Sequence, residues 1–526
     1  MDDIAGELPR DVSKVSRRVF LGGVAGAAGA ASAAGVAGGL VWGGGGEPAA
    51  AASTARADRF GRMFPQLPSF APADDEHRAV LVDIGKPGGL MDAKDPLHEG
   101  PIRLITNPEL SPNNVDNPSH TAGITFLGQF LDHDITFDAS SPLGVATVPE
   151  SSPNVRTSAL DLDSVYGGGP TTSPTLYQSD RIKLRIESGG AFEDLPRLSN
   201  GTAIIADPRN DENAVISGMQ AAFILFHNRV VDEVRTQGVP ASTQLEVARR
   251  VVTWHYHWII LHEFLPAIIG PELTEDILTA GRRYYRPAPG EAWIPVEFQG
   301  AAYRFGHSMV RPSYRLNLHG NADGTPFFGF IFDPEGEGQA DPVDLRGGRR
   351  ARRRFVGWQT FFDFGGDQTE HVRHNKRIDR KISTPLFNLP LGAIASGDHP
   401  TSLPQRNLLR HLTWGLPAGQ AIAEVMGNPV PRIPELATYG VGLQDRTPLW
   451  YYVLAEAEQL ADGLTLGPTG GRIVGEVFIG LLQLDAGSFL HAQPEWRPTL
   501  PAKTAGDFRM ADLLRFARVD PASRGQ

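Results

Sequence analysis

The sequence predicts a mainly α protein with long irregular loops and little β-structure. In Thr121–Phe137 (TAGITFLGQFLDHDITF) the apolar residues Ile124, Phe126, Leu127, Phe130, Leu131 and Ile135 recur at helical spacing. Val215, Ile216, Met219, Phe223, Leu225 and Phe226 do the same further on. Residues 60–120, by contrast, are rich in Pro, Asp and Asn and read as irregular structure wrapping a core. With 526 residues, 41% of them hydrophobic, the chain can bury a large core, and length alone would allow about two to four domains.

Composition narrows the chemistry. A net charge of −11 argues against a nucleic-acid surface. Without cysteine there are no disulfides, thiolate metal sites or cysteine nucleophile, so a bound metal must use His, carboxylate or other oxygen ligands. Residues 1–52 read as addressing. Arg17 and Arg18 in VSRRVFL form a twin-arginine pattern, followed by a Gly/Ala-rich run too weakly apolar to anchor well in a membrane. Export by the twin-arginine machinery to the periplasm or medium is expected, with no stable membrane span after processing. Removing this segment takes away four bases and five acids, leaving −11 + 1 = −10 on residues 53–526.

In the helix at Thr121–Phe137, Gln129, Asp132 and His133 sit at i, i+3 and i+4 and share one face, while Asp134 is turned away. A satisfied core histidine is one reading. Three polar groups on one buried face, each needing a partner, favour a functional cavity. Next, Thr157, Ala159, Asp161 and Asp163 alternate along one side of a loop. Alone it reads as a solvated acidic turn; with Asp134 added, three carboxylates could meet at one Ca²⁺. Asp207 suits an N-cap and Pro208 a first turn, opening a long helix in which Arg209 and Glu212 share a face, by themselves a surface salt bridge.

His255 and His257 diverge around their helix, so with His262 they read as packing or interfacial histidines. In AAYRFGHSMV, His307 follows Gly306, whose missing side chain would let a flat ligand approach, and Arg304 lies one turn earlier. The basic run Arg346–Arg354 reads as a solvated loop, and Asn407 and Arg410 stand on a helix that ends near Trp414. P-loop, GxGxxG and GxSxG motifs are missing, and there is no useful internal repeat.

Taken in order, GQFLDHD, ALDLDSVYG, DPRNDEN, YRFGHSMVRP and RNLLR resemble the animal-type haem peroxidases of the peroxidase–cyclooxygenase superfamily, over about residues 100–430. The sequence looks like a bacterial, exported branch. The resemblance implies a large single-domain helical haem-peroxidase fold over residues 53–526, holding haem b and Ca²⁺. It implies an enzyme that reduces H₂O₂ through an oxo-ferryl species and oxidises small phenolic donors or halides. Carried over by motif, His133 is the distal acid–base, Arg209 the distal arginine and Gln129 the distal amide near the halide or water position. His307 ligates the haem iron and Asn407 accepts from its other ring nitrogen. Arg304 and Arg410 face the propionates. Asp132 and Glu212 match the carboxylates that form ester links to haem. Asp134, Thr157, Ala159 through its carbonyl, Asp161 and Asp163 match the calcium site, with Asp163 standing where many relatives have Ser. Asn213 follows Glu212, so a sulfonium link from Met at that place is not available.

Two rival readings stand beside this one. A fatty-acid dioxygenase of the same superfamily needs a tyrosine near the proximal histidine; the cyclooxygenases carry it three residues before, where this chain has Arg304, and Tyr303 is one residue too early. A non-catalytic Ca²⁺-dependent surface or adhesion protein would keep the fold without haem.

Overall fold

A computed structural model of the chain describes residues 58–138, 140–394 and 397–526; the twin-arginine segment expected in residues 1–52 lies outside them. Helices dominate, and the strands among the described residues form four two-stranded pairs. The first helix, α1 (Asp75–Ile84), falls within the stretch expected to be irregular. Its signal was local: Asp74 caps it by accepting from the His77 N–H, and Asp75 and Glu76 occupy the first turn, where the helix dipole favours acids.

The helix expected around Thr121–Phe137 forms as α2 (Gly123–Ile135), with ten of its residues buried. Gly123 is required where α2 begins, because a Cβ there would lie 2.5 Å from Phe362 Cζ. Before it, strand β1 (Asp116–Thr121) pairs antiparallel with β2 (His374–Lys376). The register shifts between Asn117 and Thr121, where Pro118 has no N–H to give the ladder.

α3 (Ala214–Thr236) starts later than the sequence suggested. Asp207 does cap, accepting from the Arg209 N–H, but what it caps is a single 3₁₀ turn over Pro208–Asp211. Asn213 caps the long helix itself, accepting from Val215 and Ile216 N–H. Among the described residues α3 alone is long and apolar enough to cross a membrane, and 89% of its most apolar window is buried inside the protein.

α4 (Gln244–Ile259) runs into one π-helical turn, Ile260–Phe264. Pro266 cannot donate to the His262 carbonyl, which accepts from Arg509 Nη1 instead. His255 and His257 are fully buried and bonded to backbone groups, and His262 lies against Trp258. The short α5 (Gly306–Met309) carries His307, and α6 (Leu403–Trp414) carries Asn407 and Arg410. α7 (Leu449–Leu460) and α8 (Pro468–Leu484) close the core beside them.

The basic run is not the solvated loop its composition implied. Arg349 and Arg352 are exposed, but Arg350 and Arg354 are buried. Arg354 donates to the carbonyls of Pro342 and Asp344, and Arg350 to the Arg354 carbonyl, so these guanidiniums stitch loops that lack a regular ladder of their own.

Candidate active site

Two adjoining cavities, each ≈ 210 Å³, share Asp132, His133, Glu212, Arg304 and His307 in their walls. The first is otherwise mostly apolar, with Phe264, Phe305, Phe332 and Leu386, and takes in Gln129. The second is more polar and is lined by Arg209, Arg406 and Arg410. Joined across their shared residues they reach the range of about 300–1,000 Å³ common for ligand and cofactor sites.

α2 presents Gln129, Asp132 and His133 to this space. His133 Nδ1 lies 2.8 Å from Asn210 Oδ1. An amide oxygen only accepts, so Nδ1 carries a proton and Nε2 is the ring nitrogen turned toward Glu212. Nε2 is 3.4 Å from Glu212 Oε1, which also accepts from Gln129 Nε2. Asn213 Nδ2 in turn donates to Gln129 Oε1 at 3.2 Å.

Arg209 does not pair with Glu212. Asp207 takes it instead, accepting from Nε at 3.0 Å and from Nη2 at 2.8 Å, while Nη2 also reaches the Thr136 carbonyl at 2.6 Å. Nη1 is left toward Asp132 at 3.7 Å. Burial alone would raise the Asp207 carboxyl, but Arg209 outweighs it and holds it at about 2.

On the other side, burial and then Arg304 push the His307 imidazole down to about 3, keeping it neutral as a metal ligand must be. Asn407 bridges the two: Arg304 Nη1 donates to its Oδ1 at 2.9 Å, and its Nδ2 lies 2.7 Å from His307 Nδ1. This is the reverse of the expected bond, because the competing arginine has taken the amide oxygen. For Nε2 to ligate iron, Nδ1 must carry the proton and the Asn407 amide must turn over to accept it. A Cβ at Gly306 would meet nothing within 4 Å, which leaves open space beside His307 for a planar group. Arg410 donates to Asp138 at 2.8 Å, yet its buried Nε has no partner. Burial and then Arg410 push Arg304 down to about 10, a crowding of cations that acidic groups would relieve. Haem, with apolar faces and two carboxylates, fits this donor set once that one amide turns.

Asp134 points away from the cavity and is fully buried, accepting from Leu162 N–H, Ser164 and Tyr256. Carboxylate oxygens of Asp134, Asp161 and Asp163 lie within 4.8 Å of one another. Burial, then Asp163 and Asp161, pushes the Asp134 carboxyl well up; burial, then Asp161, pushes Asp163 to about 7. Thr157 donates through Oγ1 to Asp161 and through N–H to Asp163, and Ala159 is buried in the same loop. Arg156 Nη1 lies 3.2 Å from Asp163 and its Nε 3.5 Å from Asp207, so one guanidinium stands between the acidic cluster and the partner of Arg209.

Asn210, Arg156, Arg406 and Tyr256 were not singled out from the sequence. Asn210 had a faint signal, standing inside DPRNDEN next to Arg209; the others bear on the site through contacts that link distant segments.

Residues 140–335 match the animal haem peroxidase family model, a span that holds the Thr157–Asp163 loop, Arg209, Glu212, Arg304 and His307. A peroxidase-like protein of Margaritifera margaritifera is 24% identical over 273 residues, covering 40% of this chain and 34% of that one. The chain thus spans about a third of the length of that curated relative. Peroxidase A of Dictyostelium discoideum shares the fold with a TM-score of 0.58 at 15% identity, over 88% of this chain and 93% of that one. A fatty acid alpha-dioxygenase of Oryza sativa is similar at 0.50 and 15%, over 77% and 73%. Residues 140–335 are thus similar to the animal haem peroxidase family, and the described chain shares its fold with a peroxidase of 15% identity.

Proposed function

We propose that this protein is a haem peroxidase that reduces H₂O₂ and oxidises small organic donors, with halides as further candidates. The observation that carries this is one cavity walled by two histidines: His133, held through its Nδ1–H by Asn210, and His307, buried and neutral. His307 would hold the haem iron, and Arg304 and Arg410 the propionates. Bound haem supplies the redox centre at which peroxide is cleaved. His133 Nε2 takes a proton from peroxide and returns it to the oxygen that leaves as water, serving as base and then acid. Arg209, fixed by Asp207, offers Nη1 to the negative charge that develops as the O–O bond breaks. Gln129 orients Glu212 and a water or halide beside His133. Peroxide-driven oxidation of a phenolic dye by purified protein, lost in His133→Ala, tests the reading.

Asp132 and Glu212 are proposed to form ester links to haem; complete removal of haem by acid–acetone from peroxide-treated protein would sink that idea. Ca²⁺ is proposed between Asp134, Thr157, the Ala159 carbonyl, Asp161 and Asp163, supported by three crowded carboxylates that need a countercharge. We also propose a bacterial origin and twin-arginine export on the strength of Arg17 and Arg18; full export of an Arg17→Lys, Arg18→Lys variant would contradict the export reading.

The dioxygenase alternative requires a tyrosine near the proximal histidine that can become a radical by giving up its phenolic proton together with an electron. Tyr303, stacked on Phe298 at 4.6 Å, donates to the Gly128 carbonyl at 3.0 Å, a poor base, and its hydroxyl is held well above the usual range by burial and then Asp132. That favours the peroxidase. A non-catalytic surface protein would have no need for a fixed His133 tautomer; a purified protein without a Soret band would favour it.

A further inference from the structure

We propose that Asn210 is the positioning residue of the distal site, fixing the tautomer and ring orientation of His133 so that Nε2 is always the basic nitrogen in the cavity. The proposal rests on the reading of His133 as proton acceptor. Asn210 is fully buried in the 3₁₀ turn before α3 and accepts from His133 Nδ1–H at 2.8 Å. Its own amide is held in turn, since Nδ2 donates at 2.9 Å to Gln220 Oε1 of α3, which is also buried. Its backbone N–H is tied to the Asp207 carbonyl at 3.1 Å, so the turn that presents Arg209 to the site also presents Asn210 to His133.

The residue type matters as much as the contact. The imidazole is already surrounded by charge: Glu212 lies 3.4 Å from Nε2, buried Asp207 is close enough to act on it, and Arg209 donates to its backbone carbonyl at 3.2 Å. A carboxylate at position 210 would favour imidazolium and remove the base, whereas an apolar residue would let the ring turn or exchange its proton between nitrogens. A neutral acceptor held by a second amide orients the ring without charging it. Partners of this kind, one layer behind a reacting or metal-bound imidazole, commonly change function by about 10–100-fold when removed.

The test uses the full chain in three forms: wild type, Asn210→Leu and Asn210→Asp. Two readouts are needed: the ¹⁵N signature of the His133 ring, assigned by its loss in His133→Gln, and the pH profile of the bimolecular reaction with H₂O₂. Wild type should show Nδ1–H with unprotonated Nε2 at neutral pH. Asn210→Leu should lose that single tautomer and react about 10–100-fold more slowly, measured where the variant is still folded. Asn210→Asp should keep Nδ1–H and move the acid limb of the profile upward by about 1–3 pH units, as an acidic neighbour does to an imidazole. If Asn210→Leu does not fold, Asn210→Asp decides alone, and an unmoved acid limb overturns the proposal. An unchanged tautomer and rate in folded Asn210→Leu also overturns it. Should His133→Gln react with peroxide as fast as wild type while Asn210→Leu still loses the tautomer, the base reading falls and the positioning contact stands.

Discussion

Asp207 grips Arg209 at two points, Nε to Oδ1 at 3.0 Å and Nη2 to Oδ2 at 2.8 Å, which leaves only Nη1 to face the cavity. The carboxylate caps only the 3₁₀ turn ahead of the helix it was expected to start, and it aims a cation. In Asp207→Asn the guanidinium loses its charged anchor, and the reaction with H₂O₂ is expected to slow by about 10–100-fold with haem retained. Stopped-flow absorbance checks this, and an unchanged rate would mean that the aim of Arg209 is set elsewhere.

Arg156 joins the acidic cluster to the same anchor. Removing a cation held at about 100 times its Kd costs about 2.7 kcal/mol of stability. Chelation should therefore lower the unfolding temperature of the wild type, and lower that of Arg156→Leu further, since Asp163 then has neither the ion nor its guanidinium. Equal drops in the two proteins would show that Arg156 does not balance the charge of Asp163.

On the proximal side, His307→Ala should abolish the spectrum of a histidine-bound haem. Asn407→Leu should keep haem but hold it about 10–100-fold more weakly, because nothing then fixes the His307 tautomer. A titration of the cofactor followed at the Soret band separates the two, and equal haem affinity in Asn407→Leu and wild type would count against the assigned role.

His255 supplies a pH test away from the site. Its Nδ1–H donates to the Val251 carbonyl at 2.7 Å, and Nε2 accepts from Thr499 and Leu500 N–H, both at 3.2 Å. Burial lowers the ring from 6.5 to about 4. Below pH 6.5 the unfolded chain takes up a proton that the folded one refuses, so stability present above 6.5 is lost as pH falls toward 4. The loss from this residue is about 3 kcal/mol. Denaturant unfolding between pH 7 and 4 should show a shallower pH dependence in His255→Gln; the same slope in both proteins would refute the assignment.

Much of the site was legible because α-helical spacing is rigid. The i, i+3, i+4 offsets of Gln129, Asp132 and His133 place them in one cavity, and Asp134 turns toward the Thr157–Asp163 loop. What could not be read was set by contacts between distant segments. Asp207 reads from the sequence as a helix cap alone; the guanidinium it also holds is seen only in the fold. Arg350 and Arg354 look solvated because composition does not reveal which loop carbonyls need donors. The sense of the Asn407 bond depends on Arg304, over a hundred positions earlier, competing for one oxygen.

His133 is proposed as the base that starts peroxide cleavage at a haem held by His307. Stopped-flow absorbance of the purified, haem-loaded full chain mixed with H₂O₂, wild type against His133→Ala, tests it most directly. Both proteins should show the same resting Soret band, which should change rapidly in the wild type and about 10²–10⁴-fold more slowly in His133→Ala. Equal rates in the two, or a wild-type protein that takes up no haem, would contradict the account.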